Sequence, residues 1–163
     1  EGSIYVQSKS GQGTTFEVYI PVTDEKKDII VKEENIPETG SASILLVDDE
    51  EMLTKVNGAI LETLGYSVTA CNSGPEALRV FSENAGSFNL IITDMTMPGM
   101  TGLDLAVEVK KIKPGIPVIL CTGFNEQLTK EKTEESGICD IVMKPFTSAE
   151  LGRAVQRAIR KEE

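Results

Sequence analysis

The sequence predicts an α/β domain over residues 42–163, a doubly wound five-stranded parallel sheet, preceded by a short β-hairpin. Three observations carry that expectation. From residue 43 onward, short strand patterns alternate with helical patterns five times. Four of those five strands are near-continuous apolar runs, as parallel strands covered on both faces require. The connections are short, so right-handed helical crossovers must lay the helices on the two faces of one sheet.

Taken in order, the chain falls into three parts. In residues 1–21, "SIYVQS" alternates, "GQG" at 11–13 turns, and "TTFEVYI" alternates again before Pro21. Two strands alone are marginal in water, so this hairpin is expected to belong to a larger sheet. Residues 22–41 mix charges with Pro37 and Gly40 without periodicity, which reads as a linker. The strands that follow are 43–48, 66–71, 88–94, 116–121 and 138–143. Between the first two, Leu53, Val56, Ile60 and Leu64 form one helical face that ends at Gly65. Ser73 and Glu76 have capping-box spacing before Ala77, Leu78 and Phe81. Leu105, Ala106, Val109 and Ile112 give a third stripe, closed by Pro114. A fourth helix near 125–136 has only Leu128 on its apolar side, so it should pack loosely. Thr147 and Glu150 cap the last helix, with Leu151, Ala154, Val155, Ala158 and Ile159 inward.

Composition narrows the chemistry. The chain has 163 residues, 40% of them hydrophobic, and a net charge of -10, which argues against nucleic acid or an anionic membrane as the main partner. No stretch approaches the roughly 18–20 apolar residues that span a bilayer, and no secretory signal is present. Cys71, Cys121 and Cys139 form no CxxC pair and sit in or beside apolar stretches, as reduced buried thiols of a cytoplasmic protein do. With no histidine, the chain has no Ser/His/Asp triad, no His-ligated metal and no phosphohistidine of its own. Carboxylates are left to do the work. A first residue of Glu1 suggests a piece of a longer protein.

In doubly wound sheets the ligand site lies beyond the carboxyl ends of the strands, where strand order reverses. Here the first strand ends in Asp48-Asp49, the third in Asp94, the fourth in Thr122 and the fifth in Lys144-Pro145. Three carboxylates so placed cannot all stay ionised without a cation, and hard oxygen donors favour Mg²⁺. A metal held by two of them would present a phosphoryl group to the third, making Asp94 the nucleophile of an aspartyl phosphate. Lys144 would neutralise phosphoryl oxygens, and the Thr122 hydroxyl would bond to another. A flavin-phosphate site would instead put Ser, Thr and Gly after the first strand, where "DDEE" would repel the phosphate. Haloacid dehalogenase-type phosphatases carry their nucleophile on the first strand as DxD; the candidate here is on the third.

The pieces "LLVDDE", "LIITDMTMPGMTG", "CTGF" and "MKPF", in this order and spacing, resemble the receiver domain of bacterial response regulators over residues 43–163. The resemblance implies a flavodoxin-like (βα)5 fold with Asp94 as phosphoacceptor. It further implies Mg²⁺ held by Asp49, Asp94 and the Thr96 carbonyl, with Asp48 acting through a metal-bound water. Thr122 and Lys144 would sense the phosphate, and Lys144-Pro145 would be cis. One departure stands out: the family usually has Tyr or Phe three residues before the lysine, where this chain has Ile141. "GSIYVQSKSGQGTTFEVYIPV" resembles the last glycine box and final strands of a histidine-kinase ATP-binding domain. Together they imply a hybrid sensor kinase with its receiver at the C-terminal end. The implied partners are a histidine kinase core, in cis or in trans, and a histidine phosphotransfer protein. The fragment itself would not be an enzyme beyond self-catalysed phosphoryl acceptance, and would be cytoplasmic whether or not the parent has a membrane anchor.

Plainer readings stand beside these. "DDEE" would also suit a helix N-terminus for its dipole alone, Lys144 would serve as a surface lysine, and Thr122 as a cap. Gly11 and Gly13 read as turn residues rather than nucleotide contacts. The alternative function is an unphosphorylated interaction domain of the same fold, for which Ile141 is the hint.

Overall fold

The computed structural model describes residues 2–22, 40–123 and 136–160. Residues 23–39 of the expected linker (22–41) and 125–135 of the expected helix (near 125–136) lie outside the described residues. The chain divides into two units, residues 1–33 and 34–163.

In the first unit, β1 (Ser3–Lys9) and β2 (Gly13–Tyr19) pair antiparallel, from Ser3 opposite Tyr19 to Lys9 opposite Gly13. Gly11 and Gly13 turn the chain at φ 74° and 95°, where a side chain would be strained, and the Gln12 N–H closes the turn on the Lys9 carbonyl at 2.9 Å. Strand alternation puts Ile4, Val6, Phe16 and Val18 on one face, and Tyr5, Gln7, Thr15, Glu17 and Tyr19 on the other. Every residue of both strands is exposed.

The second unit contains β3 (Ser43–Val47), α1 (Glu51–Thr63), β4 (Ser67–Cys71), α2 (Gly74–Asn84), β5 (Leu90–Asp94), α3 (Gly102–Ile112), β6 (Val118–Thr122), β7 (Asp140–Met143) and α4 (Ser148–Arg160). Its five strands form one sheet in the order β4-β3-β5-β6-β7, all parallel, as expected. The sheet separates two cores. Ile44, Leu46, Leu90, Ile92 and Ile119 pack with Leu61 and Leu64 from the α1 side and Leu151, Ala154, Val155 and Ala158 of α4. Leu45, Val47, Ile91 and Val118 pack with Ala77 and Phe81 of α2 and Leu105, Ala106 and Val109 of α3. Strand order reverses between β4 and β5 on either side of β3, so the crevice expected to hold a ligand opens above β3 and β5.

Three local expectations change. On α3, Ile112 is 44% exposed and lies outside the buried stripe of Leu105, Ala106 and Val109. The buried face of α1 is Thr54, Asn57, Gly58 and Leu61, whereas Val56 is 51% exposed and Leu53 and Ile60 are only half-buried. Apolar periodicity misplaced the face because two polar side chains, Thr54 and Asn57, point inward. The Ser73 hydroxyl accepts from the Glu76 N–H as expected, but Glu76 returns its carboxylate to the Asn72 N–H at 2.9 Å rather than to Ser73. At α4 the reciprocal cap forms as read, with the Thr147 N–H donating to Glu150 at 2.7 Å and the Glu150 N–H to the Thr147 hydroxyl at 3.3 Å.

Candidate functional site

The sheet register determines what meets at the crevice. Val47 lies beside Thr93, so Asp48 and Asp94 emerge next to each other; Thr122 lies beside Met143, so Lys144 follows immediately above. The Lys144 N–H donates to the Thr122 carbonyl at 2.7 Å, which extends the β6–β7 ladder into the site. Lys144 Nζ then reaches across to Asp94 Oδ1 at 2.6 Å and Asp48 Oδ2 at 2.7 Å. One ammonium thus bridges two carboxylates whose side chains are only 5% (Asp48) and 12% (Asp94) exposed.

Asp48 has a partner for every polar group. Its N–H donates to the Cys71 carbonyl, its carbonyl accepts from Asn72 Nδ2, Oδ1 accepts from the Glu50 N–H at 3.0 Å, and Oδ2 holds Lys144. Asp94 is fixed at both oxygens, Oδ1 by Lys144 and Oδ2 by the Thr96 N–H at 2.7 Å. Thr122 is 2% exposed, with its hydroxyl 3.3 Å from the Gly123 carbonyl. Asp49 is exposed and takes no part in the ion pair with Lys144. Ile141 is half-buried on β7, opposite Leu120, and Lys144-Pro145 is cis.

Burial works against the charge on Lys144, but hydrogen bonds and attraction from Asp48 and Asp94 outweigh it and hold the ammonium well above its ordinary range. Burial pushes the Cys121 thiol up to about 12, helped by Asp94 and Asp48 and opposed by Lys144. Burial likewise raises Cys71 to about 11, with Glu76 adding to it. Neither thiol is nucleophilic at neutral pH.

Among the described residues, no three Asp, Glu, Cys or His side chains gather closely enough to form a metal centre unaided. The cation between Asp48 and Asp94 is Lys144 itself. The donors are nevertheless all hard oxygens, with Asp49 adjacent and open to solvent, and this set fits Mg²⁺ better than a soft metal.

Two residues at the site were missed in the sequence. A Cβ on Gly102 would lie 2.2 Å from the Asp94 carbonyl oxygen, so only glycine lets α3 begin directly beneath the acidic strand end. Asn72 sits just past β4 and bonds to the acidic loop. The strand-end rule that selected Asp48 and Asp94 covers it, but a lone Asn before Ser-Gly reads as a turn. Beside Lys144, a groove of about 490 Å³ is lined by Leu53, Val56, Ile60, Pro145 and Phe146, the apolar side of α1 that the core leaves uncovered. No described helix is long and apolar enough to cross a membrane.

Residues 44–156 match the family profile of the response regulator receiver domain. The chain is 30% identical to the sensor kinase CckA of Brucella abortus over 99% of its own length and 18% of that protein. It is 31% identical to the aerobic respiration control sensor ArcB of Escherichia coli, over 96% of this chain and 20% of that protein. It therefore spans about a fifth of those two relatives. A solved receiver domain from Clostridium thermocellum shares 36% identity at a TM-score of 0.71, covering 74% of this chain and 96% of that one. The chemotaxis protein CheY4 of Vibrio cholerae superposes at 0.68 with 27% identity, covering 73% and 99%. Since the profile match runs from the first strand of the parallel sheet into its last helix, the chain belongs to the response regulator receiver family of two-component signalling.

Proposed function

We propose that Asp94 accepts a phosphoryl group from a phosphohistidine in a Mg²⁺-dependent reaction, and that the domain relays it or regulates its own kinase. Receiver domains as a class need Mg²⁺ for phosphorylation and act with histidine kinases and phosphotransfer proteins. The observation that carries the residue assignment is the Lys144 bridge, which fixes the Asp94 carboxylate in place at the end of a buried strand.

A carboxylate oxygen of Asp94 attacks phosphorus, the P–N bond breaks, and the imidazole nitrogen leaves with the electron pair. Lys144 stays beside Asp94 and pairs its ammonium with the arriving phosphoryl oxygens. The Thr96 N–H fixes the second Asp94 oxygen, so the acid cannot rotate away. The Thr122 hydroxyl, held near by the Lys144–Thr122 backbone bond, turns from the Gly123 carbonyl to a phosphoryl oxygen. Asp48, Asp49, Asp94 and the Thr96 carbonyl would hold Mg²⁺, which supplies Lewis-acid neutralisation of the transferring group. The apolar groove beside Lys144 suits an amphipathic helix that carries the phosphohistidine.

The two sensor kinases align over 99% and 96% of the chain, whereas the transcriptional regulators ycf27 of Cyanidium caldarium and GlrR of E. coli align over 72% and 74%. That difference, with the one-sided apolar face of the hairpin, supports residues 1–21 as terminal strands of a kinase ATP-binding domain, 22–41 as linker and 42–163 as receiver, within a protein-histidine kinase.

Intact mass after incubation with acetyl phosphate and Mg²⁺ tests the reading. One added phosphoryl group is expected on the wild type and none on Asp94→Asn; equal labelling of both would sink the assignment.

A further inference from the structure

We infer that Asn72 is a positioning residue for the acidic loop: it sets the backbone from which Asp48 and Asp49 meet a divalent cation. The inference rests on the proposed metal role of those two acids. Both amide hydrogens of Asn72 are used. One goes to the Asp48 carbonyl at 3.1 Å and the other to the Thr54 hydroxyl oxygen at 3.1 Å. Thr54 is 3% exposed and passes its own hydroxyl hydrogen to the Glu51 carbonyl at 2.9 Å. Asn72 therefore ties the end of β3 to the first turns of α1, on both sides of Asp49.

Asp49 is exposed, so its carboxylate is aimed by the backbone that carries it. The other bonds of Asp48 belong to the sheet, to the Glu50 turn and to Lys144. Among the described residues, only Asn72 joins the two ends of the loop from outside. It is itself anchored, because its N–H donates to the carboxylate of Glu76 in the first turn of α2. The residue type is also apt. Lysine or arginine there would bring a competing cation to the acids, and aspartate would set a carboxylate oxygen against the Asp48 carbonyl; a neutral amide supplies two donors and no charge.

The test is Asn72→Ala in the full 163-residue chain, with Mn²⁺ as probe, read by electron paramagnetic resonance and by the Mg²⁺ dependence of acetyl-phosphate labelling. Loss of a partner that orients metal ligands from behind typically weakens metal affinity at least tenfold. The Mn²⁺ Kd and the half-saturating Mg²⁺ concentration are each expected to rise about tenfold. The labelling deficit should shrink as Mg²⁺ is raised. Thr54→Val, which removes the same link at nearly constant volume, should shift both constants in the same direction. Equal Mn²⁺ affinity in Asn72→Ala and wild type overturns the inference and leaves the metal reading standing. A deficit that Mg²⁺ does not reduce, accompanied by a lower metal-free melting temperature, assigns Asn72 to the fold alone and overturns it too. A wild type that binds no Mn²⁺ overturns both.

Discussion

Strands β1 and β5 are built from similar residues and meet opposite fates. In β1, "SIYVQSK", every residue is exposed; in β5, "LIITD", four of five are buried. Both have paired backbones, since the hairpin register runs unbroken from Ser3–Tyr19 to Lys9–Gly13. Among the described residues, the hairpin has no second layer over Ile4, Val6, Phe16 and Val18. Each large apolar side chain buried in full is worth about 1.5–3 kcal/mol, and β5 collects that from both faces while β1 collects none. Pairing sets a strand's conformation, and layers hold it there.

The comparison is sharpened most by cutting into both strands. Ile92→Ala, emptying a site 1% exposed, should cost about 2–5 kcal/mol by urea unfolding. Val6→Ala on the hairpin should stay within about 0.5 kcal/mol, and a larger loss there would mean that the hairpin does find a layer. Next in size is the site itself. Lys144 is raised in the folded state, so its contribution is complete below the ordinary lysine value of about 10.4 and disappears as pH climbs through the folded value. The melting-temperature gap between wild type and Lys144→Met should therefore be constant through neutral pH and narrow above about pH 10.4. A gap that narrowed below pH 9 would place the dependence on another group. The smallest effect is expected from deletion. A chain beginning at Gly40 keeps the Gly40 N–H bond to the Leu64 carbonyl at 3.1 Å, and should melt within a few degrees of the full chain and still be labelled on Asp94. Failure of that chain to fold cooperatively would show that the hairpin supports the second unit.

The α/β architecture was legible because β3, β5 and β6 are apolar over most of their length, a pattern that parallel strands between two layers must show. The site was legible for a related reason: strand ends in such a sheet converge, so Asp48, Asp94, Thr122 and Lys144 needed only their place in the pattern. What escaped was polar and local. The inward face of α1 is set by Thr54 and Asn57, which look like surface residues until Asn72 satisfies the first of them. Gly102 looks like an ordinary helix start until the Asp94 carbonyl is seen against it. The Thr101–Asp104 capping box at α3 went unread because aspartate replaces the usual glutamate. Hydrophobic periodicity is blind to all three.

The Lys144 bridge also has a consequence in time. Asp48 and its cation are 96 residues apart in the chain. At ordinary synthesis rates of about 5–20 residues per second, a growing chain carries Asp48 for roughly 5–20 s, and Asp94 for about half as long, before the lysine exists. Until then, two carboxylates that the finished sheet places side by side have no counter-ion from this chain, and the edge of β6 that β7 will cover is open. A chain interrupted between residues 94 and 144 thus carries Asp94, the proposed acceptor, without the charge that bridges it to Asp48. On the proposed roles of Asp94 and Lys144, competence for phosphoryl transfer would arrive only with the last strand.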